Sequence, residues 1–344
     1  MYRRSQLLWV DEPGKPADGG SAGLSHHEGG RNSAILQSGT LVDGLIVPLL
    51  ARGIGIGRVV TIGNEACLDV ADFIDYFADE DDTHVITCYC EQIKRPLEFI
   101  KACERAADRG KPIVMIKVGR SESARQAALA HTGSLVGSDV AIEAVLKRLE
   151  VIRVDTVDDL IETAAALSST KRPRGRRVAF ASFSGTAASI LADFAHSCDI
   201  ELPPLPAPVK ARLEAVFPEF GNVGNPLDFT AQGSYDTHII HESLNAIAAS
   251  GAYDLVIWGR GFPSCLDMSW VLGRSLTRAA AAAPEVMFSI LSLADGHFYA
   301  SLDPKDAMVD PKAEFDRMPF FAGNGCRAEG TLCFDDLCRV PSQP

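Results

Sequence analysis

Ser33-Ala34-Ile35-Leu36-Gln37-Ser38-Gly39-Thr40 runs from a short apolar stretch into a turn of small residues. Residues 41–52 then read as an apolar helix, and 58–62 as a second β-branched run. Further runs at 84–90, 112–118 and 151–154 alternate with helical patterns at 70–78, 96–108, 139–149 and 157–167. Strand alternating with helix predicts a parallel sheet covered by helices on both faces, because parallel neighbours need a crossover between them. The pattern then restarts. Residues 177–183 form an apolar run ending in Phe183-Ser184-Gly185-Thr186, which echoes the first turn. Strands are expected at 255–258, 286–291 and 318–321, with helices at 186–196, 207–216, 236–250 and 270–282. The fold class is α/β: two doubly wound parallel-sheet domains in tandem, over residues 31–170 and 171–325. Residues 1–30 are rich in Gly, Ser and His without periodicity, and are expected to be disordered or a remnant. An irregular tail follows at 326–344.

Composition narrows the function. A chain of 344 residues with 47% hydrophobic and 23% charged residues has enough apolar material for two cores. Its net charge of -12 disfavours nucleic acid and anionic membrane surfaces as partners. The basic run Lys171-Arg172-Pro173-Arg174-Gly175-Arg176-Arg177 is expected as a solvated linker. Nine cysteines lie scattered with no CxxC, the usage of reduced thiols in the cytoplasm. Cys88 and Cys90 share one face of an expected strand, a poor metal pair, and no metal site is expected. No apolar run reaches membrane-spanning length, and no signal peptide is evident.

Two features carry chemistry. Ligands of open α/β sheets sit beyond the carboxyl ends of the strands. A Ser38-Gly39-Thr40 turn there offers hydroxyls and main-chain N–H groups at a helix N-terminus, suited to phosphate. The same three residues are also an ordinary N-capped strand-to-helix turn. His131 lies in Ala127-Ala128-Leu129-Ala130-His131-Thr132-Gly133-Ser134-Leu135-Val136-Gly137, among small residues and after the run 112–118. Neutral imidazole is nucleophilic near pH 7, and its phosphoramidate is labile enough to pass the group on.

The segment Gly110-Lys111-Pro112-Ile113-Val114-Met115-Ile116-Lys117-Val118-Gly119-Arg120-Ser121, with Ala130-His131-Thr132-Gly133-Ser134 after it, resembles the phosphohistidine region of acetate–CoA ligase (ADP-forming) and other NDP-forming acyl-CoA synthetases. Succinyl-CoA synthetase α subunits are more distant relatives. The resemblance includes Gly53-Ile54-Gly55, Gly63-Asn64-Glu65-Ala66 and Tyr89-Cys90-Glu91-Gln92-Ile93-Lys94. It extends to Gly224-Asn225-Pro226-Leu227-Asp228-Phe229-Thr230 and spans roughly residues 31–325. It implies a succinyl-CoA synthetase-like flavodoxin domain followed by a second flavodoxin-like ligase-CoA domain.

The resemblance also implies roles. His131 matches the histidine that relays phosphate between an acyl phosphate and ADP. Glu91 matches the acidic residue that orients it. Ser38, Gly39 and Thr40, with Thr132 and Gly133, match the phosphate cradle. Asn225 and Asp228 form a possible second-domain site, and Asn225-Pro226 is equally a turn signal. The implied substrates are a small acyl-CoA or acyl phosphate with CoA and ADP or ATP, and magnesium travels with the nucleotide. The sequence departs from the family in having no GxGxxG unit for a CoA-binding domain, no Walker-type loop and no ATP-grasp domain. An ATP-grasp partner subunit, or assembly as a homo- or hetero-oligomer, is therefore expected. The alternative is a non-catalytic remnant or regulatory protein that keeps the synthetase fold.

Overall fold

Asn32–Leu36 (β2) is buried along its whole length, which requires sheet neighbours on both sides and helices on both faces. The computed structural model supplies them. It describes residues 8–9, 30–51, 55–126, 138–169, 171–198, 200–218, 221–230, 236–260, 275–292 and 320–322. These divide into two compact units with the break between Ser168 and Ser169.

In the first unit, β2 pairs in parallel with Ile56–Thr61 (β3) on one side and Val85–Cys90 (β4) on the other. Ile113–Lys117 (β5) and Ile152–Val154 (β6) extend the sheet in parallel beyond β4. Leu8–Trp9 (β1) pairs antiparallel with β3 at the outer edge. The expectation that residues 1–30 lack regular structure thus gives way at these two positions; the remainder, up to Gly29, lies outside the described residues. Their pairing with Thr61 and Val60 is non-local, and two residues are too short to show a period.

The described helices include Leu41–Ala51 (α1), Val70–Asp79 (α2), Pro96–Asp108 (α3), Asp139–Arg148 (α4) and Val157–Ser168 (α5), with residues 122–126 also helical. Sequence chemistry sets their ends. Asp69 caps α2 by accepting from the Ala71 N–H at 2.9 Å, while Asp72 accepts from the Asp69 N–H, a reciprocal capping box. Arg95 forks onto the same cap at 2.7 and 2.8 Å, and Pro96 opens α3 where no N–H is needed. Phe73, Ile74, Phe77, Phe99 and Ala102 bury the inner faces of α2 and α3 against the sheet. Cys88, Cys90 and Cys103 belong to the same core; burial pushes the Cys90 thiol up to about 12, so it behaves as a small apolar side chain.

The second unit is built on Val178–Ser182 (β7), Leu227–Asp228 (β8), Leu255–Arg260 (β9), Met287–Ser292 (β10) and Phe320–Ala322 (β11). They form an all-parallel sheet in the order β8-β7-β9-β10-β11. Gly185–Ser197 (α6), Ala207–Glu214 (α7), Thr237–Ala249 (α8) and the helical residues 275–282 complete its described helices. The parallel strands of both units share one order, second-first-third-fourth-fifth, as in flavodoxin-like sheets. The basic run at 171–177 is less solvated than expected. Arg177 forks onto Asp254 at 2.8 and 3.0 Å, tying the run to the start of β9.

Candidate functional site

In this strand order the crevice lies beyond the carboxyl ends of the first and third strands, where the chain reverses its direction of winding. In the first unit these are β2 and β4, followed by Gln37 and Glu91. Gln37 is buried at 6% exposure, and its carboxamide joins the two strand ends. Its Nε2 donates to Glu65 Oε1 at 2.7 Å and to the Gln92 carbonyl at 2.9 Å. Its Oε1 accepts from the Glu91 N–H and, at 3.0 Å, from the Gln92 N–H. Every hydrogen-bonding position of the amide is used, which fixes its orientation.

The turn above Gln37 is open. Ser38 and Thr40 hydroxyls lie 3.0 Å apart, and Gly39 and Thr40 are exposed. A Cβ built at Gly39 would meet nothing within 4 Å. The main chain of Glu91 is held from both directions. Gln37 takes its N–H, and Lys117 at the end of β5 donates to its carbonyl at 2.8 Å. Lys117 is itself buried, and burial holds its ammonium below the usual lysine range. A second bond from Lys117 to the Val118 carbonyl at 2.7 Å compensates part of that cost. Arg153 continues the network, donating to the Lys117 carbonyl at 3.0 Å and to Asp139 at 2.6 Å, so the start of α4 is tied to the end of β5.

Glu65 closes the network from the β3 side. Its carboxylate is fully enclosed, and burial raises its pKa above the ordinary glutamate value. Oε1 also accepts from the Val70 N–H at 3.1 Å, and Lys94 stands 3.9 Å from Oε2.

The structure thus brings Ser38, Gly39 and Thr40 beside Glu91. His131, Thr132 and Gly133 lie outside the described residues. Asn225 and Asp228 belong to the second unit. The Asn225 side chain is committed to main chain: Oδ1 accepts from Phe180 N–H at 2.9 Å, and Nδ2 donates to the Val178 and Pro203 carbonyls, both at 2.8 Å. Asp228 accepts from Thr230 N–H at 2.8 Å, and its other oxygen lies 2.8 Å from where a Cβ on Gly185 would be. Sequence reasoning gave no role to Gln37, Glu65, Gln92 or Lys117. The available signal was a polar residue closing an apolar run, in Leu36-Gln37 and Ile116-Lys117. Among the described residues no group of three His, Cys, Asp or Glu is placed to hold a metal ion, and no helix is long and apolar enough to cross a membrane.

Residues 29–167 match the family model described as the succinyl-CoA ligase like flavodoxin domain. A trans-feruloyl-CoA synthase of an unknown prokaryotic organism is 36% identical, with 61% of this chain and 30% of that protein aligned. The alpha subunit of acetate–CoA ligase (ADP-forming) II of Pyrococcus furiosus is 33% identical over 59% of this chain and 44% of its own. The chain therefore spans about a third to a half of the length of these curated relatives. The dinucleotide-forming acetyl-coenzyme A synthetase 1 of Ca. Korarchaeum cryptofilum, solved with phosphate and ADP, superposes with a TM-score of 0.68 at 25% identity. That match covers 90% of this chain and 63% of the other. This chain is similar to the ADP-forming acyl-CoA ligases, and its residues 29–167 resemble the succinyl-CoA ligase like flavodoxin domain.

Proposed function

We propose that this chain performs the phosphate-relay step of an ADP-forming acyl-CoA ligase. A ring nitrogen of His131 attacks the phosphorus of an acyl phosphate, the P–O bond to the acyl group breaks, and the carboxylate leaves. The phosphohistidine then gives its phosphoryl group to ADP, forming ATP and restoring the neutral ring; the reverse sequence consumes ATP. Glu91 accepts a hydrogen bond from the other ring nitrogen, which selects the tautomer and supports positive charge on the phosphorylated ring. Ser38, Gly39 and Thr40 hold the phosphoryl oxygens, with Thr132 and Gly133 contributing beside His131. An ATP-grasp partner subunit brings ADP with its magnesium, and the acyl-CoA site draws on domains beyond the two described units. The setting is the cytoplasm.

One observation carries this reading. The Gln37 carboxamide binds the main chain after β4 while continuing directly into the Ser38-Gly39-Thr40 turn, so an open turn and Glu91 are fixed at adjacent strand ends. Similarity to ligases named as ADP-forming supports it. The test is incubation of the full chain with radiolabelled ATP, magnesium and the ATP-grasp subunit of an ADP-forming acetate–CoA ligase. Phosphate that is labile in acid, stable in alkali and lost in His131→Ala is the expected result. Binding of the subunit without phosphorylation would favour the non-catalytic alternative.

A further inference from the structure

We propose that Glu65 is a positioning residue for the relay: it locks the Gln37 carboxamide in the orientation that holds Glu91 beside the Ser38-Gly39-Thr40 turn. The functional half of this inference rests on the relay role given to Glu91.

An amide can be turned over, exchanging its oxygen and nitrogen, unless its partners forbid it. At Gln37 the Glu91 and Gln92 N–H groups require an oxygen on one side. On the other side the Gln92 carbonyl and Glu65 Oε1 both require a nitrogen. Glu65 is the only side chain among these partners, so it is the one element that sequence change can remove. Without it, one amide hydrogen in a buried site loses its acceptor, and the grip on Glu91 and Gln92 weakens.

Two features of Glu65 are costly for a residue that serves packing alone. Its Oε2 is buried with no hydrogen-bond partner among the described residues, and Lys94 at 3.9 Å offers only a distant charge. A carboxylate in that state is expensive, and a glutamine or an apolar residue would cost less. Its backbone also takes a φ of 50°, a left-handed conformation that a residue with a long side chain adopts rarely. The turn is held in that state by Lys94, which donates to the Asn64 carbonyl at 2.6 Å and the Glu65 carbonyl at 3.0 Å. Strain and an incompletely partnered carboxylate converge on one residue whose bonds lead to the candidate site.

The decisive experiment measures amide hydrogen exchange of the full chain together with His131 phosphorylation, in the wild type, Glu65→Ala and Glu65→Gln. Glu65→Ala is expected to speed exchange at the Glu91 and Gln92 N–H groups by about tenfold, with amides of β5 unchanged. It is also expected to slow phosphorylation of the folded fraction by about tenfold or more, since a misplaced orienting group is costly in rate. Glu65→Gln can still present an oxygen to both Gln37 and Val70, and is expected to restore both readouts. Unchanged exchange at Glu91 and Gln92 in Glu65→Ala overturns the lock, whatever the phosphorylation shows. Faster exchange with an unchanged phosphorylation rate overturns the functional half. A wild type that takes no phosphate overturns the relay reading instead, while the exchange result still decides the lock.

Discussion

The two units carry the same three-residue turn after their first strand, and they use it differently. After β2, Ser38-Gly39-Thr40 is preceded by a buried glutamine that binds the third strand's loop, and the space around Gly39 is open. After β7, Ser184-Gly185-Thr186 is preceded by Phe183, whose ring packs 4.9 Å from Trp258 and 5.9 Å from Phe229. There the glycine is filled against: Asp228 comes within 2.8 Å of the missing Cβ, at the start of α6. Strand order places both turns at a switch point. Ser38 and Ser184 are half-buried and the Gly-Thr pairs after them are exposed in both units; what differs is the backing, a buried glutamine clamp behind the first turn and an aromatic cluster with Asp228 behind the second.

Trp258→Ala breaks this contrast most strongly. Trp258 is fully buried among aromatic rings, and its truncation should cost the second unit about 3–5 kcal/mol in a urea unfolding experiment. Asn225→Ala comes next. It strands one main-chain N–H and two carbonyls, for an expected loss of about 2–3 kcal/mol. If Asn225 instead contacts substrate, the same variant would lose activity at little cost in stability.

These two residues also mark where the sequence was and was not legible. The five parallel strands of the first sheet could be read because each is a local apolar run, and α3 because Pro96 announces its start; Leu8–Trp9 could not. Leu227–Asp228 was not expected as a strand: two residues show no alternation, and it exists through its pairing with Ala181 and Ser182. The Ser38 turn and Glu91 could be named individually. The clamp between them could not, because Gln37 meets partners 28 and 55 positions away and nothing local marks those pairs. Asn225 was open to a turn or a ligand role, and its bonds to three main-chain groups favour the framework.

Smaller effects sharpen the comparison. Gly185→Ala forces the Asp228 carboxylate away from the start of α6, for an expected loss of about 1 kcal/mol. Gly39→Ala meets open space and should leave stability within about 0.5 kcal/mol while reducing phosphate transfer. If both substitutions behave alike, the two edges are not different in kind.

The least effect expected is a pH slope. Glu65 has a raised pKa in the folded chain because burial disfavours its charged form. The folded state therefore binds the proton more tightly than the unfolded state, and stability falls as pH rises from the ordinary value of 4.5 through the raised one. Glu65→Gln removes that loss, so the urea midpoint of the variant relative to wild type should improve between mildly acidic and neutral pH. Parallel curves would mean that Glu65 stays charged without penalty.

The most direct test of the whole account is to map where phosphate attaches, by mass spectrometry of peptides kept at alkaline pH after reaction with ATP, magnesium and an ATP-grasp subunit. The account predicts a single acid-labile phosphate on His131. Phosphate on a residue of the second unit, or on the His131→Ala variant, would contradict it.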